Sequence, residues 1–410
     1  MEKVHCRFCG TELWHVFADL GLSPMSNEYL LLEDSSKGQY FYPLVVHVCE
    51  KCYLVQAMEF SKPEAIFSNY KYFSSFSKSW LEHCKRYVDM IVASLELSTE
   101  SLVTEIACND GYLLQYFKPY GVPVYGVEPS ENVALEAQKR EIDVEVSFFG
   151  DELARILVEK RGKSDLVIGN NVLAHVPDIN GFVKGLKTLL ADGGVITVEF
   201  PHLLKLVQYI QFDTIYHEHF YYFSLLALTK IFKAHKLKIF RVDELDTHGG
   251  SLRVYAAHDK DTGREVEASV TNVLEAEQCS GLGDMRTYAA FGDAVTKIKR
   301  ESLRLLSELK GNGESIAAYG AAAKGNTFLN YCGIGKDFVD YVVDANPHKQ
   351  GLYLPGTQIP IVGKEKLSET KPGCIIILPW NIRGEIEAEL IFAREWGCRL
   401  ITFIPEVQFF

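Results

Sequence analysis

The sequence contains no apolar run approaching the roughly 18–20 residues that a membrane-spanning helix needs. Its first residues, MEKVHCRFCG, also lack the apolar core of a secretory signal, which predicts a cytoplasmic protein. Positive charge is scarce, because 42 Lys and Arg stand against 54 Asp and Glu, for a net charge of -12. This balance argues against broad binding to nucleic acid or to an anionic membrane. Fixed-period repeats and low-complexity tracts are absent as well.

The chain has 410 residues, 47% of them hydrophobic, which predicts two or three domains and not a single core. From residue 67 onward, short apolar runs alternate with amphipathic segments, a pattern typical of βαβ units and a parallel sheet. Six such runs and a further candidate strand, HGGSLRVYAAH, suit a seven-stranded α/β sheet. The alternation resumes after a long helical stretch. We predict domains at 1–66, 67–247 and 248–410, the last a second Rossmann-like α/β domain, in a monomer or weak oligomer.

Four of the ten cysteines form two CxxC pairs, Cys6-x-x-Cys9 and Cys49-x-x-Cys52. Structural Zn²⁺ prefers four tetrahedral thiolates, and each CxxC turn can present two sulfurs to one ion. A redox CxxC is the alternative, but it normally opens a helix beside a strand, and neither pair has that setting. We therefore predict a structural zinc ion bound by these four cysteines, and we expect the other six thiols to be reduced.

A candidate cofactor turn lies at EIACNDG, where an apolar run ends. A strand, a tight glycine turn and a helix start bring backbone N–H groups close to a ligand, although one glycine is too few for the dinucleotide fingerprint GxGxxG. Glu128 ends the next apolar run, where an acidic side chain can bind both ribose hydroxyls of a nucleoside cofactor. An ordinary βα turn is the alternative. The candidate residues of the turn are Glu105, Ala107, Asn109, Asp110 and Gly111.

The most unusual stretch of the chain is YHEHF, which follows the fifth apolar run and contains Tyr216, His217, Glu218 and His219. Two histidines, a carboxylate and a phenol within four residues could supply a general base with its orienting partner. Two alternatives remain open here. The histidines and Glu218 could bind zinc, although a third protein ligand is not evident, or the stretch is a polar surface loop.

The cofactor turn and Glu128 together resemble the cofactor site of class I methyltransferases, in which EIACNDG is similar to the first motif and VEP carries the ribose-binding acid. The resemblance implies S-adenosylmethionine as the cofactor and a seven-stranded sheet whose last strand runs antiparallel. It also implies further cofactor contacts near the adenine and after the fourth strand. These are Phe148, Phe149, Asn170, Asn171, Val172 and His175.

Segments spread over nearly the whole chain resemble the sugar C-methyltransferases, which act on nucleotide-linked deoxysugars. They are the paired CxxC, NYKYFSSFSKSW, EIACNDGYLL, GNNVLAHVPD, YHEHF, HGGSLRVYA and YGAAAKGNTFLNY. The resemblance implies a structural zinc module, a middle domain for S-adenosylmethionine and a C-terminal domain for a dTDP- or GDP-linked keto sugar. Phe76 departs from the family pattern, which has a tyrosine there, so Tyr70 and Tyr72 remain as the phenols for the substrate.

A second small-residue turn, YGAAAKGNT, occurs at a predicted helix start in the C-terminal region. It could bind a pyrophosphate through backbone N–H groups and Lys324, and Asp344 could contact a ribose; an inert Rossmann turn is the alternative. In HGGSLR the glycines permit close backbone approach. The predicted substrate contacts are His217, His248, Gly249, Ser251, Arg253, Tyr319, Lys324, Asn326 and Asp344, with a structural role as the alternative for His217.

Methylation of an alkyl carbon requires an acidified C–H, which a neighbouring keto group supplies. We predict that His219 removes the α-proton, at C3 of an NDP-4-keto-6-deoxysugar, and that Glu218 orients His219 or shares its role. Tyr216 and either Tyr70 or Tyr72 would donate to the developing oxyanion. Two other functions stay open. One is a nicotinamide-dependent nucleotide-sugar enzyme that uses the YGAAAKG turn, and the other is a non-catalytic, zinc-stabilised binding protein.

Overall fold

The computed structural model describes residues 3–34, 37–60 and 73–410. The predicted phenols Tyr70 and Tyr72 lie outside the described residues. The strands are β1 (His15–Ser23), β2 (Tyr42–Val48), β3 (Val55–Ala57), β4 (Val103–Ile106), β5 (Val124–Val127), β6 (Val144–Glu145), β7 (Ser164–Asn170), β8 (Leu190–Pro201), β9 (Tyr221–Tyr222), β10 (Leu237–Leu245), β11 (Ser251–His258), β12 (Ile316–Tyr319), β13 (Val342–Val343), β14 (Ile361–Val362), β15 (Cys374–Ile377), β16 (Arg399–Thr402) and β17 (Gln408–Phe409).

The α-helices range from 6 to 27 residues, and short 3₁₀ turns occur between several elements. They are α1 (Lys78–Ser94), α2 (Glu131–Lys139), α3 (Asp151–Arg161), α4 (Ile179–Leu189), α5 (Leu203–Gln208), α6 (Leu225–Ala234), α7 (Ala268–Cys279), α8 (Met285–Gly311), α9 (Ala323–Cys332), α10 (Glu365–Thr370) and α11 (Arg383–Glu389). None of the helices in the described ranges combines the length and apolar character that crossing a bilayer requires.

The middle sheet has seven strands in the order β10-β11-β8-β7-β4-β5-β6. All of its neighbouring strands are parallel except β11, which runs antiparallel to both β8 and β10. Strand β4 is buried along its whole length, as expected for a central strand covered on both faces. This is the class I methyltransferase fold, and it confirms the predicted seven-stranded sheet. Strand β11 lies within this sheet, beyond the predicted domain boundary at residue 248.

The C-terminal sheet has six strands in the order β14-β13-β12-β15-β16-β17, with only β17 antiparallel to its neighbour. It confirms the second α/β unit, although β14 and β17 are two residues long and give no periodic signal in the sequence. Helix α8 connects this sheet to the N-terminal module, because Phe291 stacks on Phe17 with ring centroids 4.3 Å apart. The first and last parts of the chain therefore share one core.

The N-terminal module is an antiparallel sheet in the order β1-β2-β3-β9. Its last strand, β9, comes from the middle of the chain, directly after YHEHF, and pairs Tyr222 with Val55. The backbone N–H of Ala57 also donates to the carbonyl of Phe220 at 3.0 Å. Backbone hydrogen bonds thus attach the YHEHF segment, residues 216–220, to the N-terminal module. We call these residues the acceptor segment.

Candidate functional site

A single cavity of about 710 Å³ receives side chains from all three parts of the molecule. The cofactor turn lies on one wall and the YHEHF segment on another. The start of α9 and the loop after β13 form the C-terminal wall. The volume lies within the range of small-molecule sites.

The cofactor turn between β4 and the following 3₁₀ turn has an unusual backbone. Ala107, Asn109 and Gly111 have positive φ values of 58°, 49° and 76°. A Cβ atom at position 111 would lie 2.4 Å from Cδ1 of Ile142, so only glycine fits there. Ala107 and Asn109 line the cavity, as predicted for cofactor contacts.

Glu128 reaches the cavity at the end of β5. Its two carboxylate oxygens accept backbone N–H bonds from Asn109 at 3.0 Å and Ser130 at 2.9 Å. Burial raises the pKa of Glu128, and these two N–H donors oppose the shift. The Ser130 hydroxyl also donates to this carboxylate. A carboxylate has about four acceptor positions, so Glu128 can still accept from a ribose hydroxyl.

Three other predicted cofactor residues, Glu105, Asp110 and Gly111, build the turn and do not line the cavity. Glu105 is fully buried, and burial raises its pKa well above the ordinary value. Asp110 accepts from the backbone N–H and the hydroxyl of Ser75, and Arg140 lies 3.7 Å away. Asp110 thus ties the turn to the segment before α1.

The predicted adenine end of the cofactor site is open. Phe148 is 44% exposed and leaves an aromatic surface that a planar base could cover. Phe149 packs edge-on against Phe182, with ring centroids 5.3 Å apart. Six predicted cofactor residues line the cavity, namely Phe148, Phe149, Asn170, Asn171, Val172 and His175.

His219 is held in a defined tautomer within the acceptor segment. Its Nδ1 lies 3.0 Å from the carbonyl oxygen of Thr214. Because a carbonyl can only accept, Nδ1 carries the proton and Nε2 keeps its lone pair. Tyr216 packs on the ring with centroids 4.0 Å apart, and His175 lies at 4.8 Å. Burial, and secondarily His175, lowers the pKa of His219 well below its ordinary value, so the imidazole is neutral.

Glu218 is buried and held by a residue from the N-terminal module. The side-chain amide of Asn27 donates to its carboxylate at 2.7 Å. Burial raises the pKa of Glu218, and this donor lowers it. The backbone carbonyl of Glu218 accepts from Nδ1 of His175 at 2.9 Å. Thr214, and not Glu218, therefore orients His219.

His217 points away from the cavity. Its Nε2 lies 3.3 Å from the carbonyl oxygen of Pro43, and its ring packs against Tyr42 and Phe60 of the N-terminal module. His217 and His219 therefore face in different directions and do not form a shared metal site. Across residues 3–34, 37–60 and 73–410, the four N-terminal cysteines are the only group of three or more His, Cys, Asp or Glu side chains close enough to share an ion.

The four cysteines meet as the sequence predicted. The Sγ atoms of Cys6 and Cys52 are 3.6 Å apart, those of Cys9 and Cys49 are 3.5 Å apart, and all four lie within 4.8 Å of one another. Tetrahedral Zn–S bonds of about 2.3 Å require S–S separations of about 3.8 Å, so the cluster fits one zinc ion. The side-chain amide of Gln56 donates to the Cys6 sulfur at 3.3 Å.

The C-terminal wall is formed by the small-residue turn at the start of α9. Lys324 lines the cavity, donates to Asn381 at 2.7 Å and lies over the ring of Trp380 at 4.9 Å. Burial lowers the pKa of Lys324, and the charge of Asp213 opposes the shift. Asp213 accepts from the Trp380 indole at 2.8 Å, and burial raises its pKa to about 6.

The other predicted substrate residues of this wall bind the protein itself. Tyr319 donates to Glu389 at 2.8 Å. Asp344 accepts from the backbone N–H groups of Ala321 and Asn346, each at 2.8 Å. Asn326 is buried and donates to the Ser26 carbonyl at 2.6 Å. These side chains shape the turn and do not line the cavity.

Within HGGSLR only His248 lines the cavity, and the side-chain amide of Asn171 lies 3.4 Å from its Nε2. The close approach at Gly249 is made by a protein side chain, because a Cβ there would lie 2.4 Å from Trp380. Ser251 donates to the Thr247 carbonyl, and Arg253 donates to buried Glu199 at 2.8 Å. Gly249, Ser251 and Arg253 therefore contact the protein itself and stabilise the loop.

Several cavity residues were not predicted, namely Asn27, Tyr29, Trp80, Asn346 and Lys349. Asn27 and Tyr29 come from the N-terminal module, which the sequence analysis linked only to zinc. They occur in an irregular segment, where neither periodicity nor spacing indicates a site. Lys349 follows Asp344 by five residues. A basic residue so soon after a strand end is the local feature of the sequence that could have indicated this part of the site.

Comparisons with protein families cover the chain in three parts. Residues 6–67 match a model described as "Putative zinc binding domain", and residues 80–242 match "Methyltransferase domain". Residues 246–405 match "C-methyltransferase C-terminal domain".

Similar proteins include the C-methyltransferase NovU of Streptomyces niveus, which is 35% identical over 404 residues and covers 98% of this chain and 95% of the relative. A solved magnesium protoporphyrin IX methyltransferase from Synechocystis PCC 6803 with bound S-adenosylmethionine is 21% identical. It covers 48% of this chain and 88% of its own, with a TM-score of 0.34. An S-adenosylmethionine-dependent methyltransferase from Archaeoglobus fulgidus is 16% identical, covering 43% and 93%, with a TM-score of 0.36.

Proposed function

We infer the function from one premise, which is that this chain belongs to the S-adenosylmethionine-dependent C-methyltransferases with an N-terminal zinc-binding domain. It is therefore a methyltransferase, and neither a nicotinamide-dependent enzyme nor a non-catalytic binding protein. We propose that its acceptor is a ring carbon of an NDP-4-keto-6-deoxysugar, with C3 as the methylated position, in deoxysugar biosynthesis.

The observation that carries this proposal is a neutral histidine in a cavity beside a phenol and a carboxylate. The Nε2 lone pair of His219 would take the proton from the carbon next to the keto group. Tyr216 packs against that ring in the same cavity and would donate to the enolate oxygen as charge develops. The bound cofactor supplies an electrophilic methyl group on a sulfonium, so the protein has only to generate and orient the carbanion.

The nucleotide part of the acceptor would bind at the C-terminal wall. Lys324 and Lys349 both line the cavity there, and two ammonium groups suit a pyrophosphate. Burial lowers the pKa of both lysines, and a bound anion would favour their charged forms. The cavity continues without a break from this wall to Glu128, so cofactor and acceptor can occupy it together.

A labelled-methyl assay tests the proposal. The protein is incubated with S-adenosylmethionine carrying a ¹³C methyl group and with either dTDP- or GDP-linked 4-keto-6-deoxyhexose, and the products are analysed by NMR. We expect a new methyl group on C3 of one of these sugars. Methyl transfer to oxygen or nitrogen, or none to either sugar by a protein that binds S-adenosylhomocysteine, would contradict it.

The assignment of the base gives the first mutational prediction. His219→Asn should abolish methyl transfer and the exchange of the α-proton with deuterated solvent, because it removes the Nε2 lone pair while S-adenosylhomocysteine binding stays intact. Glu218→Gln is the matched variant, because it removes only the neighbouring carboxylate charge. Exchange that persists in His219→Asn and is lost in Glu218→Gln would make Glu218 the base. Normal methyl transfer in both would leave the segment without a catalytic role.

A further inference from the structure

Residues 24–30 leave β1 and cross to the C-terminal domain. The carbonyl of Ser26 accepts from the side chain of Asn326 at 2.6 Å. Leu30 and Tyr353 exchange two backbone hydrogen bonds at 3.0 and 2.9 Å. On the same helix as Asn326, the Thr327 hydroxyl donates to the carbonyl of Ile215 at 3.0 Å, just before the acceptor segment. The crossing segment is therefore attached to α9 and lies beside the acceptor segment.

Two side chains of this crossing segment enter the cavity, Asn27 and Tyr29. Tyr29 donates to the carbonyl of Ala321 at 2.6 Å and so contacts the small-residue turn of the C-terminal wall. The Asn27 amide donates to the Glu218 carboxylate at 2.7 Å. An N-terminal module that was expected only to hold zinc thus supplies a direct partner to the acceptor segment.

We infer that Asn27 is a positioning residue of the acceptor site, which holds the Glu218 carboxylate in a fixed orientation toward the substrate. The inference rests on the proposed function, in which His219 takes the α-proton; the Glu218 carboxylate in the same cavity would stabilise the imidazolium that forms. Asn27 itself touches neither the proton nor the methyl group. Its effect on the reaction passes through Glu218.

The chemistry of the pair supports this role. A glutamate side chain has several rotatable bonds, so its carboxylate can point in different directions unless a partner holds it. Glu218 is buried, with only 5% of its surface exposed. An ionised carboxylate can only accept, so the NH₂ end of Asn27 must face it. Because the amide does not titrate, it keeps donating over the whole pH range in which Glu218 changes charge.

The other groups around Glu218 do not replace this donor. Tyr29 is a phenol whose pKa is raised by burial and then by the charges of Asp344 and Glu218. His175 contacts the backbone carbonyl of Glu218 and not its carboxylate. The Nδ1–H of His219 donates a hydrogen bond to the carbonyl of Thr214 and not to Glu218. Tyr216 packs on the His219 ring. Asn27 is therefore the group whose removal should change the charge state of Glu218.

The test measures deuterium uptake from solvent into dTDP-4-keto-6-deoxyglucose, in the presence of S-adenosylhomocysteine, as a function of pH. Asn27→Ala should lower kcat for exchange by about 10- to 100-fold, while KM changes by less than about threefold. The acid limb of the profile should move to higher pH, because without the donor the pKa of Glu218 rises. Asn27→Asp should move it further, since two carboxylates would share the site.

Glu28→Ala is the control, because Glu28 neighbours Asn27 in the same segment but does not line the cavity; its kcat and pH profile should equal those of the wild type. Zinc content and S-adenosylhomocysteine affinity show whether each variant is folded. If Asn27→Ala does not fold, the kcat and pH profile of the isosteric variant Asn27→Asp test the inference instead. A wild-type kcat and pH profile in a folded Asn27 variant would overturn the inference and leave the proposed function standing. A wild type that binds S-adenosylhomocysteine but neither exchanges nor methylates dTDP- or GDP-linked sugars would overturn both.

Discussion

At the scale of single residues, several positions that line the cavity have strained backbone. Ala107, Asn109, Asn171 and His248 are non-glycine residues with φ values between 49° and 58°, and all four line the cavity. Such conformations cost about 1–3 kcal/mol each and persist only where the surroundings hold them. Here the Asn109 N–H is bound by Glu128, and the Asn171 N–H by the Glu199 carbonyl. These residues therefore line the cavity in turn conformations and not as part of a regular strand or helix.

Glu128→Ala should weaken S-adenosylmethionine binding by about 1–3 kcal/mol, because the ribose hydroxyls would lose their charged acceptor. The same change frees the Asn109 N–H, so some of the loss would come from a looser turn. Isothermal calorimetry measures the affinity. Glu145→Ala is a suitable control, since Glu145 ends the neighbouring strand β6 without lining the cavity. Equal affinity in wild type and Glu128→Ala would remove Glu128 from the site.

His248 gives a prediction for stability against pH. Burial, and secondarily Lys324, lowers its pKa from near 6.5 to about 4. Between these two pH values the unfolded chain binds more protons than the folded one, so this group's stabilisation falls as the pH falls. His248→Gln removes the titrating group. The drop in melting temperature from pH 7 to pH 5 should therefore be smaller in His248→Gln than in the wild type, and an equal or larger drop would contradict the assignment.

At the scale of elements, hydrogen bonds to two backbone carbonyls fix the acceptor segment at both ends. Thr214 holds His219 from one side, and the Phe220 N–H donates to the carbonyl of Ala174 at 2.6 Å on the other. Strand β9 then pairs with β3. Between these two ends the chain turns, because the His219 N–H donates to the carbonyl of Tyr216 at 2.9 Å. His219 therefore faces the cavity, while His217 faces the N-terminal module.

The loop between β10 and β11 is fixed by packing of a glycine against an indole. In Gly249→Ala the new Cβ would lie 2.4 Å from Trp380 and 2.9 Å from Gln211, at a φ of 88°. We expect a loss of about 1–3 kcal/mol in unfolding free energy and displacement of the neighbouring His248. Gly283→Ala is the control, because a Cβ there meets no atom within 4 Å. Chemical denaturation of both variants measures the difference, and equal stability would contradict this packing.

At the scale of the whole molecule, the zinc module is joined to the rest of the chain by several contacts. Asn180 donates to the carbonyls of Arg7 and Phe8, beside the first CxxC. Arg7 lies over the ring of Phe220 at 5.2 Å. Buried cysteines share a core with β8 and α6. The metal therefore supports the surface on which the acceptor segment is built.

Cys49→Ser should remove the zinc ion, because three thiolates and a hydroxyl bind it far more weakly than four thiolates. The melting temperature should fall, and methyl transfer should fall with it, since β9 pairs with the strand that the module supplies. Elemental analysis and thermal unfolding measure both effects. Cys279→Ser serves as the control, because Cys279 is exposed and lies outside the cluster. One zinc per chain in Cys49→Ser would refute the ligand assignment.

Features that depend on a few neighbouring residues were predictable from the sequence. Alternating apolar runs predicted the middle sheet and most of the C-terminal strands, and two CxxC pairs predicted the sulfur cluster. The turn residues Ala107 and Asn109 were predicted from a glycine turn after an apolar run, and Glu128 from an acidic residue at the end of the next run. All three line the cavity. The resemblance of YHEHF and HGGSLRV to sugar C-methyltransferases indicated the family before any contact was known.

The tertiary structure decided which side of each segment faces the cavity. Asp344 and Arg253 carry the chemistry of ligand contacts, yet they bind Ala321 and Glu199 of the protein itself. Asn27 meets Glu218 across 191 residues of sequence, and Trp380 meets Asp213 across 167. Most strands, the cysteine cluster and the position of the cofactor turn could be predicted from the sequence, because each depends on local periodicity or spacing. The partners of the acceptor residues depended on long-range packing, which brings side chains together without leaving a local pattern in the sequence.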